Sequence, residues 1–433
     1  MRLLPQVTPF NEWFWTSGAD GVLRIQGCAD CGTLVHPPVP ICPDCRSTNH
    51  EPTPVSGRAT VVGYTVNQHR WLPGFDPPYV IANVALAEDA TVHLTTNVDG
   101  PPDDVQVGME VAVRFEQHDD VWLPLFTPTG TTDSVDRVAE PRRPTPRAPI
   151  SDHRFEHQAV LSGIGRSAIG RRLMRDPLSL TVDACLAAIA DAGLTPDDID
   201  GLSTYPGAAP MGMSEGGITA VEEALRLQPT WINGGGELPG PGGSVIAAML
   251  AVAGGLCRHV LCFRTVWEST FATLGLASGG ARVSGWQSWL VPYGAMSAAN
   301  WIGMNANQYF HRYGASREML GLIALNGRAG AARNPVAIYR DPMTMDDYLS
   351  ARPITTPFGL YDCDVPCDAS VAIIVSDASV AADLPHRAVR VEAVGTQVTE
   401  RISWDQDTIT HEPQVIGQAA HLWTRTDLTP DDV

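Results

Sequence analysis

The sequence contains no lysine, because all 29 basic residues among its 433 are arginine. A chain without lysine forms no lysine Schiff base, holds no pyridoxal phosphate covalently and supplies no P-loop lysine. Enzyme classes that depend on a lysine imine or on that phosphate-binding lysine are therefore excluded.

Long apolar runs are also lacking, since no window reaches the roughly 18 uninterrupted apolar residues that a membrane span needs. The first residues, MRLLPQVTPFNEWFW, lack the basic region and apolar core of a secretory signal. We therefore expect a soluble, cytoplasmic protein without a membrane span.

The formal net charge of −19 disfavours binding to a phosphate backbone, so we expect no nucleic-acid partner.

Four of the nine cysteines form two C-x2-C pairs in CADCGTLVHPPVPICPDC, namely Cys28, Cys31, Cys42 and Cys45. Each pair lies on a tight turn that aims both sulfurs at one point, which fits tetrahedral zinc. Four sulfur ligands leave no position for an activated water, so we predict a structural zinc. His36 and His50 are interpreted as surface residues.

The remaining cysteines lie in apolar stretches and are interpreted as small core residues. Two of them, Cys363 and Cys367, are spaced i, i+4 in YDCDVPCD. A loop entering a buried strand and a second metal site are the two alternatives for that segment.

Composition and periodicity divide the chain into two folded parts. Residues 128–156 are rich in proline, threonine and charge and are predicted to be a linker. Residues 1–127 combine the cysteine segment with β-branched stretches, which indicates a ribbon and a small all-β barrel. Residues 157–433 alternate between strand and helix patterns, which indicates an α/β layered domain with largely parallel strands. Its last predicted elements are a strand in HRAVRVEAVGTQV and a helix in PQVIGQAAHLWTRTDL.

The stretches VSGRATVVGYTV, PPYVIANVAL, VGMEVAVRFE and LPLFTP, with the ribbon before them, resemble the zinc-ribbon/OB-fold family associated with acyl-CoA enzymes. The resemblance covers about Phe10 to Thr127. It implies acyl-CoA handling, or docking onto a hydratase or thiolase-fold partner. An OB barrel can also bind oligonucleotides, but the acidity of this chain argues against that alternative.

From about residue 158 the chain resembles the first half of the thiolase superfamily, in particular its lipid-transfer-protein type. The resemblance rests on DACLAAIADAGLTPDDIDGLSTY, GGELPGPGGSVIAAMLAVAGGLCRHVLCFRT and TTPFGLYDCDVPCDASVAIIVSD, among others. It implies a homodimer formed through this domain. We expect the second half of that fold to be largely missing. The Trp-, Met- and Tyr-rich residues 265–350 are interpreted as a lid over an acyl group, as a dimer face, or as both.

The glycine-rich loop is the predicted substrate-binding segment, with Gly240, Gly242, Gly243 and Ser244. Condensing thiolases carry a nucleophilic cysteine at the N-terminus of a buried helix, where the helix dipole lowers its pKa. The resemblance places Gly240 at that position, so Claisen condensation and thiolysis are not expected. Ser244 is interpreted as a helix-packing residue. The other glycine motif, GIGRSAIG, departs from the dinucleotide fingerprint and is interpreted as the turn after a strand.

The steroid side-chain retro-aldolases are a branch of the superfamily that similarly lacks this cysteine and works with a ribbon/OB-fold partner. They cleave a β-hydroxyacyl-CoA to a ketone and a shorter acyl-CoA, and this sequence resembles the two partners fused. The alternatives are a catalytically silent acyl-CoA-binding scaffold and an acyltransferase. The resemblance implies that the family's catalytic tyrosines lie beyond Val433. Candidates by residue type alone are Tyr293, Tyr309, Tyr313, Tyr339 and Tyr361.

Overall fold

Three β-sheets and a separate pair of short strands organise the chain. The computed structural model describes residues 2–72, 74–130, 145–207, 217–235, 240–275, 282–398, 409, 411–412 and 417–433. Within these residues the strands form a three-stranded, a seven-stranded and a five-stranded sheet and one two-stranded pair.

The three-stranded sheet carries the cysteine segment. The first elements of the chain are β1 (Leu4–Pro5), α1 (Glu12–Trp15), β2 (Arg24–Cys28), β3 (Leu34–Val35) and β4 (His50–Pro54). Strand β2 lies between β3 and β4 and pairs with both in antiparallel orientation. Phe14 and Trp15 of α1 are completely buried, so this short helix is stabilised by packing rather than by its own length.

The barrel follows directly. Its strands are β5 (Arg58–Asn67), β6 (Tyr79–Leu86), β7 (His93–Thr96), β8 (Glu110–His118) and β9 (Val121–Pro128). Strand β5 pairs with β6 and β8, and the outer strands β7 and β9 approach each other through a bridge between Val98 and Phe126. The sheet is therefore an almost closed, OB-like barrel. Its interior is apolar, and Val61, Val84 and Leu123 are fully buried there.

The rest of the chain forms the α/β part. Its elements are β10 (Ala159–Arg166), α2 (Pro177–Asp191), β11 (Gly201–Thr204), α3 (Ile218–Leu225), β12 (Trp231–Asn233), α4 (Gly240–Ala253), β13 (His259–Trp267), α5 (Glu268–Leu274), β14 (Arg282–Val283), α6 (Ala298–Tyr313), α7 (Arg317–Arg333), α8 (Met345–Leu349), β15 (Pro353–Thr355), β16 (Phe358–Gly359), β17 (Asp368–Asp377) and α9 (Gly417–Trp423).

The five-stranded sheet has the order β10-β17-β13-β11-β12. Strand β11 is parallel to β12 and β13, and β17 is antiparallel to both of its neighbours. Helices α2 and α3 bury one face of the sheet, and α4 buries the other. The predicted α/β layers with largely parallel strands are therefore present.

Two glycines of GIGRSAIG lie inside β10 rather than in a turn, so the turn interpretation of these glycines was wrong. A Cβ on Gly163 would lie 2.5 Å from the carbonyl oxygen of Ala188 in α2, and a Cβ on Gly165 would meet the backbone of the same helix. The absence of side chains lets α2 approach the strand at backbone distance.

Residues 268–367, between β13 and β17, pack largely against the barrel. Helix α6 lies across β5, where a Cβ on Gly63 would be 2.7 Å from the carbonyl oxygen of Met304. Strand β15 joins the barrel sheet by pairing Thr355 with Asn67, and β14 pairs with β1.

The aromatic side chains of this segment share that interface. Trp289 stacks on Trp15 with ring centroids 4.8 Å apart, and Tyr293 belongs to the barrel core. Residues 268–367 thus have a third role, which is contact with the ribbon and the barrel. The two predicted alternatives, a lid and a dimer face, do not include this role.

The C-terminal part differs from its predicted elements. Residues 386–398 form no strand and pair with β10 only through a bridge between Val389 and Leu161, while the predicted terminal helix is the short α9. Residues 131–144 of the predicted linker lie outside the described residues, and the domain division at 127 and 157 stays a prediction. In the part of the chain that the structure describes, no helix combines the length and apolarity needed to cross a membrane.

Candidate functional site

The four ribbon cysteines converge on one point. Their sulfur atoms all lie within 4.8 Å of one another. The Sγ atoms of Cys28 and Cys45 are 3.5 Å apart, and those of Cys31 and Cys42 are 3.6 Å apart. A zinc tetrahedron with ordinary zinc–sulfur bonds has sulfur–sulfur edges of about 3.8 Å. The donor set and its spacing therefore fit a structural zinc.

Backbone geometry explains why the two cysteine pairs turn so tightly. Gly32 and Arg46 each follow the second cysteine of a pair and have φ values of 80° and 66°, in the left-handed region. Their backbone N–H groups donate to the carbonyl oxygens of Cys28 and Cys42 at 2.8 and 3.1 Å. The same turn therefore presents both pairs of sulfurs to the metal.

His36 packs inside the interface beside the ribbon, so its interpretation as a surface residue was wrong. Its ring centroid lies 5.0 Å from that of Phe14 and 4.9 Å from that of Trp289. Burial lowers the pKa of this imidazole to about 3. The neutral ring links the ribbon to the aromatic segment of the α/β part.

The N-terminus of α4 lies at the edge where the parallel strands end. Ser203, near the end of β11, donates its hydroxyl to the carbonyl oxygen of Ser244 at 2.8 Å, and Asn233 at the end of β12 donates to the Ser203 hydroxyl at 3.0 Å. Carboxyl ends of neighbouring parallel strands form the usual ligand-binding edge of an α/β sheet.

The four predicted substrate-binding residues begin α4. Gly240 has a φ of 63°, and open space surrounds the position that a Cβ would take there. Ser244 is buried, and its hydroxyl donates to the carbonyl oxygen of Pro241, which agrees with a packing role. Gly242 is exposed, whereas Gly243 is buried. Substrate binding by these residues stays a prediction, and residues 236–239 of the same loop lie outside the described residues.

Two further polar side chains meet near this edge: Tyr205 directly follows β11, and Arg264 lies within β13. The guanidinium carbon of Arg264 lies 5.7 Å from the ring centroid of Tyr205. Val260 and Cys262 pack in the core with α4, so strand alternation directs Arg264 to the α4 side of the sheet. Neither Tyr205 nor Arg264 was singled out in the sequence, although a polar residue directly after an apolar strand, as Tyr205 is after β11, was a usable signal.

Glu268 carries a raised pKa next to this edge. Burial raises it, the charge of Asp364 raises it further, and the charge of Arg264 opposes both. Its backbone N–H donates to the carbonyl oxygen of Cys367 at 3.1 Å. A half-buried carboxyl of this kind can accept and release a proton closer to neutral pH than a free glutamate.

The neighbouring carboxylate, Asp368, behaves in the opposite way. Burial by itself raises its pKa, but hydrogen bonds from Thr270 and Leu173 outweigh that effect and lower it. These donors lie 2.6 to 3.0 Å from the carboxylate oxygens. Two adjacent carboxyl groups with opposite shifts are typical of acid–base sites.

Burial raises the pKa of three thiols in the α/β part. The Sγ of Cys262 lies 3.9 Å from the carbonyl oxygen of Ser244, but complete burial raises the pKa of that thiol strongly. Burial also raises the pKa of Cys257 to about 12 and that of Cys363 to about 11. Among the described residues only the ribbon cysteines cluster closely enough for a metal ion, so the structure does not support a second metal site at Cys363 and Cys367.

The candidate tyrosines are scattered over the α/β part. Tyr293 is buried against the barrel, and Tyr309 and Tyr313 contact each other in the last turns of α6. Tyr339 and Tyr361 lie beside arginines near the loop after β10. Within the described residues the five tyrosines therefore do not share one site.

Comparison with known proteins covers both parts. The family model of the ChsH2 rubredoxin-like zinc ribbon domain matches residues 15–51, and that of the ChsH2 C-terminal OB-fold domain matches residues 52–116. The solved structure of the Ltp2-ChsH2(DUF35) aldolase resembles this chain with a TM-score of 0.54 at 30% identity, covering 64% of this chain and 72% of that one. The predicted order of zinc ribbon, OB-type barrel and thiolase-like α/β fold is thereby confirmed.

Two curated relatives carry related names. A steroid side-chain-cleaving aldolase of Thermomonospora curvata is 32% identical over 285 residues, covering 64% of this chain and 72% of that protein. A 17-hydroxy-3-oxo-4-pregnene-20-carboxyl-CoA lyase of Mycobacterium tuberculosis is 31% identical over 290 residues, covering 64% of this chain and 73% of that protein.

Proposed function

This chain belongs to the family of the steroid side-chain-cleaving aldolases, and from that membership we propose that it is an acyl-CoA retro-aldolase. The substrate is a β-hydroxyacyl-CoA, and the products are a ketone and a shorter acyl-CoA. The names of the relatives support a steroid side chain as the acyl group.

The observation that carries the proposal is the lack of a cysteine at the start of α4 among the described residues. The resemblance to condensing thiolases places Gly240, the first residue of α4, at the position of their nucleophile. Cys262 beneath the helix is buried, and its pKa is strongly raised. Thiolysis and acyl transfer through a cysteine need a thiolate. Acid–base chemistry does not, and Glu268 supplies a suitable group at the same edge of the sheet.

The reaction requires one base and stabilisation of one anion. We assign the base to the Glu268 carboxylate, which takes the proton of the β-hydroxyl group. The bond between the α and β carbons then breaks, the ketone forms, and the electron pair moves into the thioester enolate. Protonation of the α carbon completes the shorter acyl-CoA. The Arg264 guanidinium, on the α4 side of β13, lies where it can offset the enolate charge.

Zinc takes no part in these steps. Its four thiolate ligands leave no position for substrate, so the metal stabilises the ribbon. The missing lysines exclude an imine route, which leaves oxygen and nitrogen side chains as proton carriers.

The decisive assay uses a tertiary β-hydroxyacyl-CoA without any acyl acceptor, and mass spectrometry detects the products. We expect equal amounts of ketone and shorter acyl-CoA. An acyltransferase would need the acceptor, and a silent scaffold would bind the substrate without converting it. Either of those results would refute the lyase assignment.

Glu268→Gln tests the assigned base. Because the folded pKa is raised, kcat/KM should increase with pH through a value above that of free glutamate, and the variant should lose this limb and most of its activity. A raised carboxyl pKa also reduces stability as pH rises through it, so the variant should melt at a higher temperature than the parent at pH 8. Glu223→Gln, on the surface of α3, is the matched control. Retained activity with an unchanged pH profile would rule Glu268 out.

Assembly and location belong to the same proposal. Strand β12 is the last strand in the order of the five-stranded sheet, and 58% of Ile232 is exposed on it. We propose that a second copy of the chain covers this edge in a homodimer, which light scattering would detect.

Nine reduced cysteines support a cytoplasmic location. A hydratase or thiolase-fold partner stays a prediction.

A further inference from the structure

A cluster of arginine and tyrosine side chains lies on the surface between the loop after β10 and helix α7. We name it the arginine–tyrosine patch; Arg171, Arg328, Tyr339 and Tyr361 are joined by contacts within it, and it also includes Arg172 and Arg340, the exposed chain neighbours of Arg171 and Tyr339. Arg171 donates to the Tyr339 hydroxyl at 2.8 Å. The guanidinium carbon of Arg328 lies 5.8 Å from the ring centroid of Tyr339 and 5.4 Å from that of Tyr361.

The charge of the patch contrasts with the rest of the molecule. The chain has a formal net charge of −19, and many of its arginines pair with carboxylates, as Arg24 does with Asp20. Within the described residues none of the four patch arginines lies within ion-pair distance of a carboxylate. The nearby carboxylate of Asp362 instead accepts hydrogen bonds from Tyr348 and the backbone of Gly359. A concentration of uncompensated guanidinium groups attracts phosphate groups.

The patch is accessible to a ligand. Arg171, Arg172 and Arg340 are exposed, and 44% of Tyr339 is exposed. Arg328 holds Tyr339 by a cation–π contact while part of the ring remains open to solvent. A purine base can stack on an exposed tyrosine ring, since every base has a π-face.

The patch is also tied to the strand edge that carries Glu268. The backbone N–H of Arg172 donates to the Ser269 hydroxyl at 2.7 Å, and that of Leu173 donates to the Asp368 carboxylate at 2.9 Å. Ser269 directly follows Glu268, so these hydrogen bonds connect the loop after β10 to the segment that carries Glu268. A ligand with a reactive thioester at one end and a phosphorylated adenosine at the other could contact both.

We propose that the arginine–tyrosine patch binds the nucleotide end of the CoA thioester. Exposed Arg171, Arg172 and Arg340 contact the phosphate groups, and the Tyr339 ring stacks on adenine. Arg328 positions the two tyrosines. This inference rests on the proposed acyl-CoA function, because it assigns the second end of the same substrate.

The test is a calorimetric titration of the full chain with three probes: CoA, 4′-phosphopantetheine and adenosine 3′,5′-bisphosphate. In the double variant Arg171→Ala/Arg172→Ala we expect CoA and the bisphosphate to bind about tenfold more weakly, because charge-assisted contacts to phosphate are lost. Binding of 4′-phosphopantetheine, which lacks the adenosine bisphosphate, should not change. Arg258→Ala, an exposed arginine at the start of β13, is the matched control.

Tyr339 provides a second, independent test of the proposed nucleotide binding. Tyr339→Ala should weaken CoA in the same selective way, and Tyr339→Phe should restore most of the affinity because the ring remains. Unchanged CoA binding in both patch variants would overturn the proposal, as would equal weakening of CoA and 4′-phosphopantetheine. The bisphosphate titration measures binding and needs no turnover. Its result can therefore be interpreted even if the lyase assay fails.

Discussion

Gly163 shows how one residue decides the distance between a strand and a helix. Its missing side chain allows β10 to contact α2, since a Cβ there would lie 2.8 Å from that of Ala192 and 2.5 Å from the Ala188 carbonyl oxygen. Both contacts are shorter than packed atoms tolerate, and the helix backbone cannot rotate away as a side chain could.

Gly163→Ala should therefore destabilise the α/β part by about 1–3 kcal/mol, the usual cost of overpacking. Thermal unfolding followed by circular dichroism measures the change. Gly327→Ala is the matched control, because Gly327 lies within α7 with open space around its Cβ position. That substitution should stabilise the chain by roughly 0.5–1 kcal/mol. A neutral or stabilising Gly163→Ala would contradict the close approach.

At the scale of secondary structure, α6 joins the barrel through a buried polar network. Asn300, fully buried near the start of α6, donates to the Asn67 side-chain oxygen at 3.0 Å and to the Thr355 hydroxyl at 3.1 Å. The Thr355 hydroxyl also lies 2.6 Å from that of Thr65 in β5. One helix, one barrel strand and β15 thus share a single set of hydrogen bonds.

Asn300→Asp replaces the amide donor by an oxygen at nearly the same volume. The new carboxyl would face the Asn67 oxygen without a donor unless it is protonated, so we expect a loss of about 1–3 kcal/mol at neutral pH. Protonation restores a donor, so the loss should shrink as pH falls. Denaturant titrations at pH 5 and pH 8 compare the two conditions, with the exposed Asn326→Asp in α7 as control. A pH-independent effect would argue against the donor role.

At the scale of the whole molecule, the zinc ribbon is joined to the α/β part by aromatic contacts. Trp15 stacks on Trp289 at an interplanar angle of 21°, and Phe14 meets the same ring edge-on at 5.1 Å. Loss of the metal should therefore affect residues far from the cysteines in the sequence.

Zinc removal should unfold the ribbon, because metal binding at such sites contributes folding free energy of about 10 kcal/mol. A chelator, or Cys31→Ser, should release one zinc per chain and shift tryptophan emission to longer wavelength as Trp15 and Trp289 separate. Metal analysis and fluorescence follow the two events. Cys363→Ser, outside the ribbon, should keep both the metal and the emission. Unchanged emission after complete zinc loss would show that the aromatic contact holds without the ribbon.

The sequence by itself determined the zinc ligands, the barrel strands and the α/β order. These features depend on short spacings and on local apolar periodicity, which a linear pattern records completely. The sequence also indicated that a glycine, Gly240, begins the helix α4. That prediction came from the resemblance to the thiolase superfamily, whose motifs are short stretches of sequence.

Only the tertiary structure decided which side chains share a site. Arg171 meets Tyr339, Arg264 meets Tyr205, and Thr65 meets Thr355, all across distances in the chain that leave no periodic trace. The raised pKa of Glu268 has the same origin, because burial and the charge of Asp364 act on it only after β13 and β17 have paired. Local patterns specify elements, whereas the contacts that create chemistry arise when distant elements pack together.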